Sequence, residues 1–335
     1  MAQYKGIKGY TLQTLGSDPT TADTVGQLWY NTASNTWKYS TEGAGAWSTG
    51  GNLITGRAGP AQSAGVSSSS ALCSFGAVGP SYLLNSEEYN GTAWSAQNNS
   101  NTYRKGGGGA GTVTAAFAVS GVTASPSNTT DTVCEDYNGT SWTTVNPCNS
   151  ARRYISSQGT ESAGLIEGGE NPASPTNALC EDYNGTSWTE VNDLVSESQS
   201  AFGAGTESGA ITMGGGPSSP DRRTTCQIYD GNSWAAGPAM NLGRYGGMGA
   251  GTSTSTVCTG GNQPPGYAIS TAETFNGTSW SPAASMTTAR SVTCGTGVAA
   301  GASVCMSGYV ADHIFKQSTE EYADPVYAVK TVTSS

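Results

Sequence analysis

Tyr183-Asn184-Gly185-Thr186-Ser187-Trp188 decides the fold of this chain, because variants of that stretch recur along almost its whole length. Successive copies lie 46 or 48 residues apart, counted between their tryptophans. A degenerate sixth copy runs from Tyr322 to Tyr327. A period in the forties, combined with strand-forming residues, predicts a stacked or radial array of β units. The complete copies end at Trp94, Trp142, Trp188, Trp234 and Trp280.

Each copy has the composition of a β-hairpin. Asn-Gly supplies the two positive-φ residues that a two-residue type I′ turn requires, and the fourth copy has Asp230-Gly231 instead. A large aromatic residue precedes the turn and a tryptophan follows it, and both favour strands and pack well on neighbouring sheets. The Asn-Gly-Thr triplets also fit the N-glycosylation pattern, but the turn explains each asparagine without a glycan. The structural repeat residues are Tyr89, Trp94, Tyr137, Trp142, Tyr183, Trp188, Tyr229, Trp234, Phe275, Trp280 and Tyr322.

The composition favours short strands joined by tight turns. The 335 residues include 47 glycines, only 11% are charged, and the formal net charge is −10. An acidic chain is not expected to bind nucleic acid, which needs a basic surface. No run of about 18 apolar residues is present, so no membrane insertion is expected. The first residues do not have the apolar core of a secretory signal.

Each repeat contains four strand-like segments. In the fifth unit Arg244 comes first, followed by a strand of small residues and then an apolar strand that ends in Gly260-Gly261. The third strand carries Glu273 two residues before the aromatic residue, and the fourth begins at Trp280. Four strands per unit of this length predict an all-β fold, a β-propeller of six four-stranded blades. The alternative is seven blades, with a partial blade built from residues 26–48 and the C-terminal strand Tyr327 to Val332.

The expected domain organisation has three parts, an N-terminal arm over residues 1–25, an aromatic hairpin over 26–48 and the propeller over 49–335. The hairpin segment serves either for attachment or for closing a blade. Trp47 lies 47 residues before Trp94, which places it in register with the repeats. Residues 1–48 have too little apolar material to fold alone, so their aromatic residues are expected to pack on the propeller or on a partner.

Paired glycines after an apolar strand, then a separated Tyr and Trp, then an Arg that opens the next unit, resemble the kelch repeat over roughly residues 53–327. The pattern departs at Phe75-Gly76, Ser120-Gly121 and Ser307-Gly308, where the first glycine is replaced. The sequence motif Tyr-Asn-Gly-Thr-Ser-Trp also resembles the repeats of kelch-like proteins of marine bacteriophages. Gly26 to Thr32 resembles a short hairpin of phage tail and fibre proteins. The resemblance implies a β-propeller that belongs to a virion.

The best candidates for ligand binding are the arginines that open five of the six units, with Ser198 in the remaining one. At the start of the innermost strands they are expected to surround one mouth of the central channel. Resemblance to kelch domains that bind acidic peptides implies that such arginines contact ligand. Guanidinium groups suit carboxylate, phosphate or sulfate, so the expected ligand is an anionic glycan or an acidic peptide, unless each arginine binds carbonyl groups between blades. These residues are Arg57, Arg104, Arg152, Arg244 and Arg290.

A glutamate also recurs, two residues before the repeat tyrosine, and the fourth unit has Gln227 there. The unit that lacks the arginine therefore lacks the glutamate too, which suggests an Arg–Glu pair. The expected topology opposes this pairing, because the arginine opens the first strand and the glutamate is expected to end the third. Both interpretations are open from sequence. The glutamates are Glu87, Glu135, Glu181, Glu273 and Glu320.

Catalytic and metal-binding residues are scarce. The chain has one histidine, so the two histidine ligands of a copper oxidase are not available, and a Ser-His-Asp triad would depend on His313 alone. We interpret His313 as a loop residue. The cysteines recur mostly at repeat positions and are expected to be buried free thiols, with Cys294 and Cys305 the pair best suited to a disulfide. No cofactor and no metal site are expected.

These observations favour a phage virion structural or adhesion protein without enzymatic activity, multimeric in the particle and assembled in the host cytoplasm. Residues 1–48 would bind other virion proteins, in capsid decoration or in a tail fibre, and the propeller loops would bind the host surface or further virion proteins. The alternative is a propeller glycosidase acting on surface polysaccharide, whose paired carboxylates cannot be placed from the sequence. A third hypothesis is a cellular kelch adaptor, whose usual helical partner domain is not visible in this sequence.

Overall fold

The regular elements of the described part of this protein are β-strands. The computed structural model describes residues 13–19, 26–42, 45–60, 64–124, 129–171, 173–216, 222–263, 267–310, 314–324 and 327–332, and its strands are numbered β1 to β34 in chain order. They belong to two compact units, one of Ala46–Ala323 and one of Met1–Gly45 with Asp324–Ser335. Within the described ranges no helix is long and apolar enough to cross a membrane.

The larger unit is a β-propeller of six four-stranded antiparallel blades, which confirms the prediction from the repeat. In blades 1 to 5 the strands follow in chain order, and in all six blades the first strands of neighbouring blades contact one another. Blade 1 consists of β5 (Ala64–Ser67), β6 (Ser70–Ser74), β9 (Ser86–Tyr89) and β10 (Trp94–Gln97). Blade 2 consists of β11 (Gly108–Gly111), β12 (Ala116–Val119), β15 (Cys134–Tyr137) and β16 (Trp142–Val145). Blade 3 consists of β17 (Ser156–Thr160), β18 (Ala163–Glu167), β19 (Cys180–Tyr183) and β20 (Trp188–Val191).

The remaining blades have the same plan. Blade 4 consists of β21 (Phe202–Thr206), β22 (Gly209–Met213), β23 (Cys226–Tyr229) and β24 (Trp234–Ala236). Blade 5 consists of β25 (Met248–Thr252), β26 (Ser255–Thr259), β29 (Ala272–Phe275) and β30 (Trp280–Ala283). Blade 6 consists of β31 (Cys294–Thr296), β32 (Ala302–Met306), β33 (Thr319–Ala323) and β4 (Ala46–Thr49). Among the described residues, short hairpins follow the second strands of blades 1, 2 and 5. They are β7 (Ala77–Val78) with β8 (Ser81–Tyr82), β13 (Val122–Ala124) with β14 (Thr129–Thr130), and β27 (Asn262–Gln263) with β28 (Tyr267–Ala268).

The repeated hexapeptide joins the third and fourth strands, but its turn differs from the expected one. Tyr183 pairs directly with Trp188, so four residues form the loop, and among them only the glycine has a positive φ. Asn184 accepts hydrogen bonds through Oδ1 from the backbone N–H groups of Thr186 and Ser187, at 2.9 and 2.8 Å. The prediction of a two-residue type I′ turn is therefore wrong. The asparagine is required as a side-chain acceptor, which the aspartate of the fourth copy supplies equally well.

Blade 6 takes its outermost strand from the beginning of the propeller unit. β4 pairs with β33 and places Trp47 opposite Tyr322, with ring centroids 5.1 Å apart. Tyr183 and Trp188 occupy the equivalent positions of blade 3, with ring centroids 4.7 Å apart. Trp47 therefore fills the sixth tryptophan position, as its register with the repeats indicated. The interpretation of Tyr327 as that position is wrong, because its strand pairs with β3 in the other unit.

A repeated backbone hydrogen bond joins each blade to the next and explains the paired glycines. The second glycine of each pair donates its N–H to the carbonyl oxygen at the arginine position of the next blade, at 2.8 or 2.9 Å in all six seams. Both residues of the pair have positive φ, including Phe75, Ser120 and Ser307 where the first glycine is replaced. The bond from Gly308 to Arg57 joins blade 6 to blade 1. Six blades thus complete the ring, and the seven-blade alternative is wrong.

Repeat side chains fill the spaces between blades. Trp142 of blade 2 donates its indole N–H to Ser86 of blade 1, at 3.0 Å. The eight cysteines are free and buried, as expected. Cys294 lies opposite Met306 in the strand register and not opposite Cys305. The pair proposed for a disulfide is therefore not bridged.

The smaller unit contains one sheet, in the order β1 (Gln13–Leu15), β2 (Leu28–Asn31), β3 (Thr36–Glu42) and β34 (Tyr327–Thr331). Asp18 links its central strands, because it accepts hydrogen bonds from Trp29, Asn31 and Lys38. The aromatic hairpin predicted over residues 26–48 is the centre of this sheet. The bounds differ from the expected segments, since Gln13–Leu15 forms a strand of the sheet and residues 46–49 belong to the propeller unit.

Candidate functional site

The repeat arginines and glutamates form five buried ion pairs, each within one blade. The arginine Nη2 donates to the glutamate Oε1, at 2.7 or 2.8 Å in the four pairs of blades 2, 3, 5 and 6, and in blade 1 as well. Arg152 also donates through Nη1 to the carbonyl oxygens of Gly168 and Leu179, at 3.0 and 2.6 Å. The partners are Arg57 with Glu87, Arg104 with Glu135, Arg152 with Glu181, Arg244 with Glu273 and Arg290 with Glu320.

The strand directions permit this pairing. The glutamate is the second residue of the third strand, as Glu135 is in β15, and does not end it. First and third strands of an antiparallel blade run in the same direction, so their beginnings lie at the same end. The topological objection raised from sequence is wrong for this reason, and the Arg–Glu pair is confirmed.

Blade 4 replaces the ion pair with neutral hydrogen bonds. Gln227 accepts the backbone N–H of Ser196 through Oε1 at 2.9 Å and donates through Nε2 to the carbonyl oxygen of the same residue at 3.0 Å. Ser198 donates its hydroxyl to the carbonyl oxygen of Gly214 at 3.3 Å. The joint loss of both charges avoids a buried charge without a partner, which would be costly.

The arginines do not form the expected ring of exposed cations. All five side chains are 0% exposed, and their Nη atoms donate to carboxylate and carbonyl oxygens of their own blades. A solute at the channel mouth has no direct access to these guanidinium groups. The arginines do hold backbone carbonyl groups, as the alternative stated from sequence proposed, but these groups belong to the arginine's own blade and do not lie between blades. The candidate ligand site therefore lies elsewhere.

A closed ring of six hydrogen bonds surrounds the axis two residues beyond the arginines. Each ring residue donates its backbone N–H to the carbonyl oxygen of the ring residue in the preceding blade, at 2.6 to 3.1 Å. All six have positive φ, between +51° and +66°. Three are glycines, for which this conformation is easy, and three are not. The ring residues are Gly59, Gly106, Tyr154, Ser200, Gly246 and Val292.

The three side chains of the ring make its surface asymmetric. Tyr154, Ser200 and Val292 lie in the left-handed region at φ of +55°, +51° and +51°, and for a β-branched valine this is a genuine outlier. Such residues persist only where their surroundings hold them, and they concentrate at functional sites. The outliers therefore direct attention to the cavity that they line.

A cavity of about 590 Å³ lies over this ring, which is a size typical of ligand sites. Every blade contributes to its lining, and four of the described lining side chains are aromatic. Burial raises the pKa of the Tyr154 and Tyr245 phenols, so both hydroxyl groups are protonated donors at neutral pH. The lining residues are Ala58, Ala77, Gly79, Lys105, Tyr154, Ser200, Tyr245, Gly246, Val292, Tyr309 and Phe315.

Among the described lining residues, Lys105 is the one with a cationic side chain. Burial and the neighbouring charge of Arg153 lower the pKa of its ammonium group. Arg153 itself is paired with Glu170. Among the described residues no carboxylate forms an ion pair with Lys105, so its charge is available to a bound anion.

The rim positions of the cavity differ from blade to blade, unlike the positions that hold the blades together. The residue after each arginine position forms a β-bridge to the residue after the paired glycines. The first set contains Ala58, Lys105, Arg153, Gln199, Tyr245 and Ser291, and the second contains Ala77, Val122, Glu170, Gly216, Asn262 and Tyr309. Variation confined to one rim indicates where function departs from the repeated scaffold.

Exposed large hydrophobic residues of the propeller unit gather at the same face. We call it the upper face, the one at which first strands begin and second strands end. Six of the seven described residues of this kind belong to its loops, and the seventh, Val298, lies in the turn between β31 and β32. Clustering of exposed apolar residues is a mark of interaction surfaces. The six are Ile54, Val78, Tyr103, Val195, Tyr267 and Ile314.

Sequence reasoning found the upper face but not the residues that line its cavity. The arginines drew attention to the correct channel mouth, and Lys105 and Tyr245 are their immediate neighbours in sequence. The irregularity of the arginine-plus-one position is a signal that could have found them. His313, interpreted as a loop residue, lies outside the described residues. No group of three or more His, Cys, Asp or Glu side chains suited to a metal ion occurs within the described ranges.

Comparison with known proteins supports the fold. No protein-family model and no curated protein matches the chain. The solved structure of YjhT is similar, with a TM-score of 0.68 and 10% sequence identity, over 83% of this chain and 99% of that one. At this level of identity the likeness shows the propeller architecture alone, because one fold carries many functions.

Proposed function

We propose that this chain is a non-enzymatic binding protein of a phage virion, in which the smaller unit attaches to the particle and the upper face of the propeller binds its target. The observation that carries the proposal is the cavity of about 590 Å³, which is lined by every blade and includes three residues with a strained backbone. The assignment to a virion rests on the resemblance of the repeated hexapeptide, and of the segment Gly26 to Thr32, to phage proteins.

The cavity chemistry favours an anionic glycan as ligand. Tyr154, Tyr245 and Tyr309 combine flat apolar faces with hydroxyl groups, which suits rings that carry both C–H and O–H groups. Lys105 provides the positive charge for a carboxylate or sulfate. An acidic peptide is the competing ligand, and the binding assay distinguishes the two.

Attachment is assigned to the smaller unit because the phage-like hairpin forms its centre. The face that carries Leu28, Tyr30, Trp37 and Tyr39 is partly exposed, and the Tyr30 and Trp37 rings lie 5.4 Å apart. Exposed aromatic residues on a small sheet are typical of protein interfaces. Other virion proteins are the proposed partners, with several copies of this chain in one particle.

A hydrolytic function is the second candidate and is less favoured. Glycoside hydrolysis needs a carboxylic acid and a carboxylate beside the scissile bond. The described lining residues include no Asp or Glu. A hydrolysis screen on surface polysaccharides distinguishes a glycosidase from a binding protein. Release of sugar products that Lys105→Met abolishes would show that the chain is a glycosidase.

The experiment has one arm for each unit of the chain. Purified chain is tested against arrays of neutral glycans, anionic glycans and acidic peptides, with Lys105→Met and Tyr245→Ala as cavity variants and Lys330→Met as a lysine control in the smaller unit. Selective binding of anionic glycans, weakened about tenfold or more by the cavity variants alone, supports the proposal. Equal binding by all variants would show that the cavity is not the binding site. Preference for acidic peptides would show that the ligand is not a glycan.

The attachment arm uses particles assembled with variant chains. Removal of residues 1–25 takes away β1 and Asp18, which holds Trp29, Asn31 and Lys38. We expect this variant, and the milder Asp18→Ala, to be lost from particles while the purified chain retains its propeller by circular dichroism. Normal incorporation of both variants would contradict attachment through this unit.

A further inference from the structure

One seam of the propeller contains polar side chains where its neighbours have apolar ones. On the face of blade 3 that meets blade 4 lie Ser156, Gln158 and Glu167. The matching residues of blade 2 are Gly108, Ala110 and Val119, and those of blade 4 are Phe202, Ala204 and Met213. Three positions thus become polar together in one blade, and Thr212 of blade 4 adds a fourth polar residue beside them.

All four side chains are buried and incompletely hydrogen bonded. Glu167 and Ser156 are 1% exposed, Thr212 is 2% and Gln158 is 5%. Four oxygen atoms have no hydrogen-bond partner among the described residues, namely Glu167 Oε1, Gln158 Oε1, Ser156 Oγ and Thr212 Oγ1. The one side-chain contact with good geometry within the group is Gln158 Nε2 donating to Glu167 Oε2, at 3.1 Å. Four buried oxygens left over at one place require an explanation, because such groups are normally satisfied.

Among the residues that the structure describes, the carboxylate of Glu167 also has no ion-pair partner of its own. The nearby Arg152 is committed to Glu181, with Nη2 and Oε1 2.8 Å apart. An isolated carboxylate is costly to bury unless it is neutralised. Burial raises the pKa of Glu167 to about 7, against the smaller lowering effects of the neighbouring Ser156, Gln158 and Thr212 side chains.

The backbone leaves room for the group. Gly203 of blade 4 lies opposite, and a Cβ at that position would be 2.5 Å from Gln158 Oε1 and 2.6 Å from Ser156 Oγ. Glycine is therefore required there by the two oxygens. Gln158 and Gly203 also line a small cavity of about 60 Å³ on the channel axis, which gives solvent a route to the group.

We propose that the seam between blades 3 and 4 binds a monovalent alkali cation through the oxygens of Glu167, Gln158, Ser156 and Thr212. Carboxylate, amide and hydroxyl oxygens are ligands for hard cations. A single carboxylate balances a single positive charge, so a monovalent ion leaves the buried seam neutral. Gln158 lines the small axial cavity, from which water would complete the coordination of the ion. This site is independent of the ligand cavity at the upper face.

The test compares salts at equal ionic strength. The thermal midpoint of the full chain is measured in choline, sodium, potassium and calcium chloride at pH 8, where the carboxylate is ionised. A ligand that binds only the folded state raises the midpoint with its concentration. We expect sodium or potassium to raise the midpoint above that in choline, and sodium-23 relaxation to detect a bound ion.

Two register-matched variants assign the effect to the seam. Glu167→Met introduces the residue that blades 4 and 6 have at this position, Met213 and Met306, and is expected to abolish both the salt response and the bound ion. Thr259→Met makes the corresponding change in blade 5 and is expected to retain them. Glu167→Gln serves in place of the first variant if that variant does not fold.

Three results would overturn the proposal. Identical midpoints of the unaltered chain in all four salts, with no bound sodium, mean that the oxygens are satisfied by water. A response to calcium alone contradicts the charge argument. A salt response that survives in both Glu167 variants places the ion elsewhere.

Discussion

Tyr183 of blade 3 donates a hydrogen bond of 3.0 Å to Asp136 of blade 2. The same relationship joins Tyr137 to Glu88 across the preceding seam, at 2.9 Å. Blade 5 has Phe275 at the tyrosine position, which lacks the hydroxyl group. The residue of blade 4 that corresponds to Asp136 is an isoleucine, so donor and acceptor are absent together. The seams therefore have a polar and an apolar form of one contact.

The carboxylates at these seams predict a specific dependence of stability on pH. Burial raises the pKa of Asp136 and of Asp182 to about 6, from a usual value of 3.8, against the lowering effect of Tyr183 on Asp136. A raised folded-state pKa means that the folded chain binds protons more readily. The contribution of these two carboxyl groups to the free energy of unfolding is therefore fully present below about pH 4 and is lost as the pH rises through about 6. We expect Asp136→Asn with Asp182→Asn to flatten this part of the profile, measured as the difference in unfolding midpoint from the unaltered chain. An unchanged difference between pH 4 and 7 would show that both carboxylates ionise normally.

The buried ion pairs predict a non-additive double variant. Arg152→Ser alone leaves Glu181 charged and without its ion-pair partner, and Glu181→Gln alone leaves Arg152 in the same state. Each single change is expected to lower the free energy of unfolding by about 3–5 kcal/mol. The two changes together reproduce Ser198 and Gln227 of blade 4 and are expected to cost less than either alone. Urea unfolding of the three variants measures the coupling. Additive costs would mean that the two charges do not interact.

The tryptophan positions predict equal costs in blades 3 and 6. Trp188→Ala and Trp47→Ala each remove a buried ring that packs on the tyrosine opposite, and each is expected to cost about 3–5 kcal/mol. Trp37→Ala in the smaller unit is the control, since that side chain is 38% exposed. Chemical unfolding followed by circular dichroism measures all three. If Trp47→Ala behaves like the control, β4 does not close blade 6 in solution.

The strained ring predicts opposite outcomes for two reciprocal substitutions. Val292→Gly gives the ring a residue that tolerates positive φ, so we expect no loss of unfolding free energy and a weaker binding of ligand in the cavity. Gly106→Val is expected to destabilise, because even a Cβ there would lie 2.8 Å from the Tyr154 ring. Thermal unfolding and the glycan assay provide both measurements. Strong destabilisation by Val292→Gly would show that the valine is held by packing and not for function.

The sequence predicted the propeller because its determinants are local and repeated. The aromatic residues, the paired glycines and the spacing of Trp188 from its copies each specify a hairpin or a strand within one unit. It also contained the Arg–Glu pair, visible as the joint change at Ser198 and Gln227. The turn type was missed because Asn184 acts through its side chain, which a φ-based rule does not consider.

The sequence by itself determined the six repeated units, their four strands and the residues that fill the seams. Only the tertiary structure decided that Arg152 and its equivalents are buried, that Trp47 completes blade 6 and that Lys105, Tyr154 and Tyr245 share one cavity. A repeat specifies each unit through near neighbours in the chain. Burial, ring closure and the rim of the cavity arise where six units meet, between residues about fifty to more than two hundred positions apart.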